Sequence, residues 1–366
     1  MIIADIPKAI LPSLYARWAD DLLGPIPAET EATCQQCVLL LTSSDSNTTQ
    51  SINPRTKCCT YYPDLMNFQV GNILNETNPY KAPARDVVMA RVRAQFMSTP
   101  LKLQKPPVYN IIYDKNPFMG SALRLRCPYY VEEVLNGACG IWQHRNAACT
   151  TWFCKHVRGN VGHSFWRDAL EPFFKFLEDA LGFWCLTRLS LPEENLERLL
   201  KMSNYTSDSR FTPDILDETV DPKIHKAIWG PFIGHEIEFY QECGRLVSCL
   251  SASEVLVIGG SKATLYLSLA RKAYNSLISK SLPRAVRPGR FQLQPQGNGI
   301  AQVIGYSGCD PLILPSDLLP LLSYFEGCTV EKALNIIREE TRFEIEPDLV
   351  RRLLDFEILI ENSETN

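Results

Sequence analysis

The sequence predicts an α+β fold, mainly α, and three observations carry that prediction. Apolar residues recur at helical spacing through much of residues 162–355. Two β-type runs flank a QGNG turn at 296–299, the pattern of a hairpin. Eight of the thirteen cysteines fall between Cys34 and Cys154, and thiols spaced like metal ligands organise loops rather than regular sheets. The 366 residues exceed one ordinary hydrophobic core. The layout expected is a loop-rich cysteine-cluster metal-binding domain over 1–160, packed on a helical domain over 161–284. A β-hairpin and a small α-rich C-terminal module follow over 285–366.

Taken in chain order, residues 1–33 form a helical lead-in, with Ile10, Leu11, Leu14, Tyr15, Trp18 and Leu22 on one face. The polar stretch SSDSNTTQSINPRTK (43–57) is an exposed loop. Pro63 and Asp64 open a short helix that turns Leu65, Phe68 and Ile73 inward. PPVYNIIYD (106–114), rich in aromatic and β-branched residues, reads as a strand. Beyond residue 162, Phe165, Leu170, Phe173, Phe174, Leu177, Leu181 and Trp184 mark a long amphipathic helix whose stripe is packed core. PEENLERLLKM, HEIEFYQECGRLVSCLS and KATLYLSLARKAYNSLIS are three further helices. Cys185 and Cys249 lie in apolar surroundings and read as core.

The tail carries three amphipathic segments, SDLLPLLSYF, TVEKALNIIREE and PDLVRRLLDFEILIEN. Their helix–helix–helix–strand order resembles a winged-helix-like or PqqD-like module. Residues 310–366 hold five Lys/Arg against thirteen Asp/Glu, and phosphate backbone would repel that balance. With a net charge of −4, the sequence points away from nucleic acid and from anionic membrane. No apolar run approaches the ~18 residues of a membrane-spanning helix. The N-terminus lacks the basic region and unbroken apolar stretch of a signal peptide. A cytoplasmic location is therefore expected, with a small molecule or a protein or peptide as partner. The acidic tail is its expected docking surface.

A reducing compartment favours metal-binding or catalytic cysteines over disulfides. Cys34-x2-Cys37 turns two thiolates toward one ion, and Cys58-Cys59 follows after a loop. Cys127, Cys139, Cys149 and Cys154 add four more within 28 residues. Eight thiolates would fill two four-thiolate zinc sites, or one 4Fe-4S cluster and a second site. His144 and His156 flank these cysteines and are candidate replacements for a thiolate. Arg145 would offset the cluster's negative charge and donate hydrogen bonds to sulfur.

The pattern Cys127-x11-Cys139-x-Ile141-Trp142-x2-Arg145-x3-Cys149 resembles the YkgJ-type cysteine-cluster family, described as zinc- or iron-chelating. In that resemblance Cys34, Cys37, Cys58 and Cys59 match the family's first group, and Cys127, Cys139, Arg145 and Cys149 its second. Twenty residues separate Cys37 from Cys58 where the family has a few, Asn146 stands at a proline position, and Cys154 is an addition. The resemblance spans about a third of the chain and implies a metal centre of iron–sulfur or zinc type.

No G-x-S-x-G, Walker loop, HExxH or radical-SAM triplet is present, so any reaction would take place at the metal. The leading expectation is a metal-centre protein holding an iron–sulfur cluster and/or zinc through these cysteines, redox-active or catalytic on a small molecule, peptide or protein. The alternatives are a structural zinc-binding interaction protein and a cluster-dependent protein methyltransferase.

Overall fold

The computed structural model describes residues 11–32, 37, 40, 52–116, 119–132, 137–205 and 222–362. With 56% helix against 10% strand, the fold is α+β and mainly α, as the periodicity predicts. The first half contains short elements. They are α1 (Ser13–Leu22), β1 (Leu65–Met66), α2 (Asn67–Leu74), α3 (Ala82–Arg93), β2 (Lys102–Leu103), α4 (Pro107–Lys115), β3 (Tyr130–Val131), β4 (Ala138–Cys139) and α5 (Ala147–Thr150). A mainly helical stretch follows: α6 (Gly159–His163), a π-helical run over Ser164–Leu170, α7 (Glu171–Arg188), α8 (Glu193–Tyr205), α9 (Pro222–Trp229), α10 (Glu236–Ser248) and α11 (Ala252–Ile278). The last third holds β5 (Val286–Pro288), β6 (Gln292–Gly297), β7 (Ile300–Ile304), β8 (Leu312–Pro315), α12 (Val330–Thr341), α13 (Pro347–Asp355) and β9 (Leu359–Glu361).

PPVYNIIYD is a correction: the segment is helix α4, not a strand. Proline at the first helical position has its φ already set for a helix and lacks only an N–H that would go unpaired there. Tyr109 and Tyr113, four residues apart, then stack with ring centroids 5.4 Å apart, a contact that only helical spacing brings about. SDLLPLLSYF is also not an α-helix but two 3-10 turns, Ser316–Leu318 and Pro320–Phe325. Pro320 supplies no N–H for an α-type bond across the segment.

The chain divides into two compact units. One comprises residues 1–26, 33–151 and 171–267, the other 27–32, 152–170 and 268–366. This division cuts across boundaries at 160 and 284, because the helical run Gly159–Arg188 and helix α11 each contribute to both units.

In the first unit α2 and α10 make the closest helix pair. A Cβ at Gly71 would overlap the carbonyl of Tyr240, and one at Gly244 would crowd Asn72. Around them Phe68, Phe173, Phe174, Leu177, Leu181 and Tyr240 are buried. Burying a large apolar side chain stabilises by roughly 1.5–3 kcal/mol. Helix α11 breaks at Gly260, whose φ of 62° is a left-handed conformation that glycine adopts without a Cβ clash. No single helix among the described residues is long and apolar enough to cross a membrane. Only α10 and α11 taken together, bent by 98°, reach that composition.

The second unit has a three-stranded antiparallel sheet, β6-β7-β8, and a separate antiparallel pair, β5-β9. The hairpin turn places Asn298 and Gly299 at φ 51° and 73°, the left-handed pair that a two-residue turn needs. Strand β8 pairs with β7 and has no such local turn signal. Helix α12 is capped by Thr329, whose hydroxyl accepts the Lys332 N–H. Val286, Val303, Leu312, Phe325, Ile337, Val350, Leu353 and Leu359 share one buried apolar cluster.

Candidate metal centre

Five cysteines of the sequence cluster lie near enough in the first unit to influence one another electrostatically, delivered by four short segments. Cys58 and Cys59 sit on the turn 54–60 and their thiols hydrogen-bond to each other. The Cys127 N–H donates to the Cys59 carbonyl at 2.9 Å, tying the second segment to the first. The Cys127 carbonyl accepts from Tyr130 N–H at 3.1 Å, and Tyr130 lies opposite Cys139 across the β3–β4 ladder. Cys149 lies in α5, where its N–H donates to the side chain of the N-cap residue Asn146 at 3.1 Å. Asn146 in turn donates to the Asp64 carbonyl at 3.2 Å.

Electrostatics record the crowding. Burial and the neighbouring Cys139 and Cys149 raise the Cys127 thiol far above its ordinary range. Burial and Cys139 push Cys149 up to about 12. The Cys59 hydrogen bond and burial raise Cys58. Each of these thiols also has one cation acting the other way: Lys57 on Cys58, Arg91 on Cys127 and Arg145 on Cys149. Buried thiols ionise readily only where positive charge offsets them, which a metal ion supplies.

The three cations are held by separate means. Lys57 is buried in a left-handed conformation with φ 51°, and its ammonium donates to the Gly137 carbonyl at 3.2 Å. Arg91 donates to Tyr129 Oη at 2.8 Å and to the Gln104 carbonyl, and lies over the Tyr62 ring at 5.1 Å. Arg145 lies 4.8 Å over the Trp142 ring, and its Nε has no hydrogen-bond partner among the described residues. Glu132, on the surface, is held by Arg55 at 2.8 Å and by Arg126 at 2.7 Å. Five tyrosines line the same region, with ring centroids 5.4–6.4 Å apart from Tyr61 and Tyr113 through Tyr109 and Tyr62 to Tyr129.

The remaining predicted residues lie as follows. Cys37 is buried in the same unit, while Cys34 and most of the 43–57 loop lie outside the described residues. Cys154 belongs to the second unit. His144 turns to Glu76, with Nε2 3.4 Å from the carboxylate, and burial lowers its pKa. His156 is buried in the second unit, its Nδ1 3.3 Å from Tyr306 Oη. The twelve cysteines among the described residues are all free of disulfides. Among those residues no group of three or more His, Cys, Asp or Glu side chains is arranged to hold a metal ion. The donor types and the surrounding cations fit a thiolate-bound metal; a closed ligand shell is absent among them.

Sequence reasoning missed one residue that positions the site. Glu178 is fully buried on α7, and its Oε1 accepts from Ala147 N–H at 2.6 Å, from Gln69 at 2.7 Å and from the Tyr15 hydroxyl. The Ala147 bond fixes the first turn of α5, the helix that carries Cys149. Burial raises the Glu178 pKa to about 8. A signal was present: Glu178 interrupts the apolar stripe formed by Phe174, Leu177 and Leu181, where a buried acid must find donors.

No protein-family model, no curated protein and no solved structure matches this chain.

Proposed function

We propose that the protein is a metal-centre protein in which Cys58, Cys59, Cys127, Cys139 and Cys149, with Cys34 and Cys37, bind an iron–sulfur cluster or zinc. One observation carries the reading: four segments bring five undisulfided, half-buried thiols near one another, with a cation beside each of three. A four-thiolate zinc site or a 4Fe-4S cluster is a net anion, and Lys57, Arg91 and Arg145 would offset it. When bound, the metal would supply electron transfer or Lewis acidity. The residues themselves provide soft ligands, cations and an aromatic wall. The site would act on a small molecule or on a peptide or protein, and the YkgJ-type pattern supports the same reading. The test is anaerobic purification followed by metal and sulfide analysis. Iron with equimolar sulfide and a brown colour selects the cluster, whereas protein lacking both iron and zinc overturns the proposal.

A structural zinc role is the second reading, and the shortness of the local elements favours it. The β1–β2 and β3–β4 ladders are only two residues per strand, so thiolate ligation would contribute directly to folding. Colourless protein that retains zinc and loses structure on chelation selects it.

A further inference from the structure

Two thiols of the first unit take no part in the metal reading, and they lie against each other. Cys185 on α7 and Cys243 on α10 are 58 positions apart in the chain, and both are fully buried. Both are free thiols. They hydrogen-bond to each other, and Cys185 Sγ lies 3.9 Å from the Cys243 carbonyl oxygen. Their setting differs from that of the candidate metal ligands, where Lys57, Arg91 and Arg145 each favour a thiolate. Burial raises the Cys243 thiol, and Cys185 and Glu242 raise it further. Two thiols do not complete the shell of a structural zinc or a 4Fe-4S cluster, and a buried neutral thiol is a poor ligand. Two sulfurs in contact on separate helices have another chemistry, oxidation to a disulfide.

Their position gives such a bond a mechanical meaning. Helix α2 is tied to α7 by Asn67 Nδ2, which donates to the Gly182 carbonyl at 2.9 Å. It is tied to α10 by the close approach of Gly71 to the Tyr240 carbonyl. Cys185 lies one turn beyond Gly182, and Cys243 directly precedes Gly244. Gln69 on α2 donates to Glu178 on α7, and Glu178 in turn fixes the start of α5. A link from Cys185 to Cys243 closes the third side of this α2–α7–α10 frame.

We propose that Cys185 and Cys243 form a redox-sensitive staple, closed to a disulfide by exchange with a small dialkyl disulfide when the α7–α10 contact opens. Both sulfurs are out of solvent, so the reaction waits on local opening. In the open state one cysteine loses its proton to water, and its thiolate attacks the small disulfide. A mixed disulfide forms and one small thiolate leaves. The second cysteine, deprotonated in turn, attacks the protein sulfur of that mixed disulfide and expels the second small thiolate. The protein loses two electrons and two protons, and the small disulfide gains them as it becomes two thiols. Reclosure then shields the new bond from reductant as it had shielded the thiols from oxidant.

The experiment treats the full chain, purified with its metal, with hydroxyethyl disulfide. Remaining thiols are trapped with N-ethylmaleimide, and the digest is mapped by non-reducing mass spectrometry. A linked Cys185–Cys243 peptide is expected, with a yield at fixed time that rises by about tenfold or more in urea below the unfolding transition. The oxidised protein should melt about 10 °C higher than the reduced one. Cys243→Ala should abolish both the linked peptide and the rise in Tm. The wild-type digest decides the matter even if that variant misfolds. Recovery of both cysteines as maleimide adducts after prolonged treatment in urea, a yield indifferent to urea, or a linked protein that melts no higher would overturn the proposal.

Discussion

The thiol neighbourhood of the first unit and the apolar core of the second use opposite means to fix a fold. The second joins Val286, Leu312, Phe325, Ile337, Val350 and Leu359 in one buried cluster, whose stabilisation is roughly proportional to the area removed from water. Around the cysteines the links are individual: a Cys127–Cys59 backbone bond, an Asn146 cap, a Glu178 carboxylate and ladders of two residues. Such links are directional and each depends on its partners. The apolar core rests on many interchangeable contacts, whereas the thiol region rests on a few specific ones.

Metal removal is the largest test of that contrast. Chelation, or Cys139→Ser, should remove most bound metal and abolish amide-exchange protection over 58–150, while 312–359 stays protected. Equal loss of protection in both regions would erase the distinction. The reverse perturbation is Ile337→Ala, expected to cost about 2–5 kcal/mol with bound metal unchanged, as unfolding midpoints and metal analysis would read.

A pH effect sharpens the comparison from the polar side. Glu178 has a folded pKa near 8 against about 4.3 when unfolded, so the folded state holds the extra proton between those values. Stability should then fall by about 1.4 kcal/mol per pH unit as pH rises from about 4.3 to 8. Glu178→Gln, which keeps an acceptor oxygen but cannot ionise, should flatten that slope in denaturant titrations across this range. A slope unchanged in the variant would assign it elsewhere.

Smaller effects follow. Arg145→Gln should lower metal affinity by about tenfold without unfolding the protein, measured by competition with a chromophoric chelator. Cys185→Ala, deep in the first unit but outside the thiol neighbourhood, should leave metal content at the wild-type level.

These tests also locate where sequence reading succeeds. The stripe from Phe165 to Trp184 and the turn at Asn298–Gly299 were legible because a repeating period and an obligatory backbone conformation are local properties. The strand assigned to PPVYNIIYD failed because aromatic and β-branched content also suits a helix face, and the proline start was the better guide. Cysteine spacing identified the thiols but not which of them converge. That depends on nonlocal links such as Asn146 to Asp64 and on Glu178, which reaches Ala147 across 31 residues. Lys57 was equally hidden, since a buried lysine in a left-handed conformation has no sequence period.

The contact of α2 with α10 through Gly71 and Gly244 has a mechanical consequence. Where backbone meets backbone with no room for a methyl group, there is little free volume for compression to eliminate. Hydrostatic pressure unfolds proteins in proportion to the internal voids they lose, so this helix pair should be among the last parts of the first unit to yield.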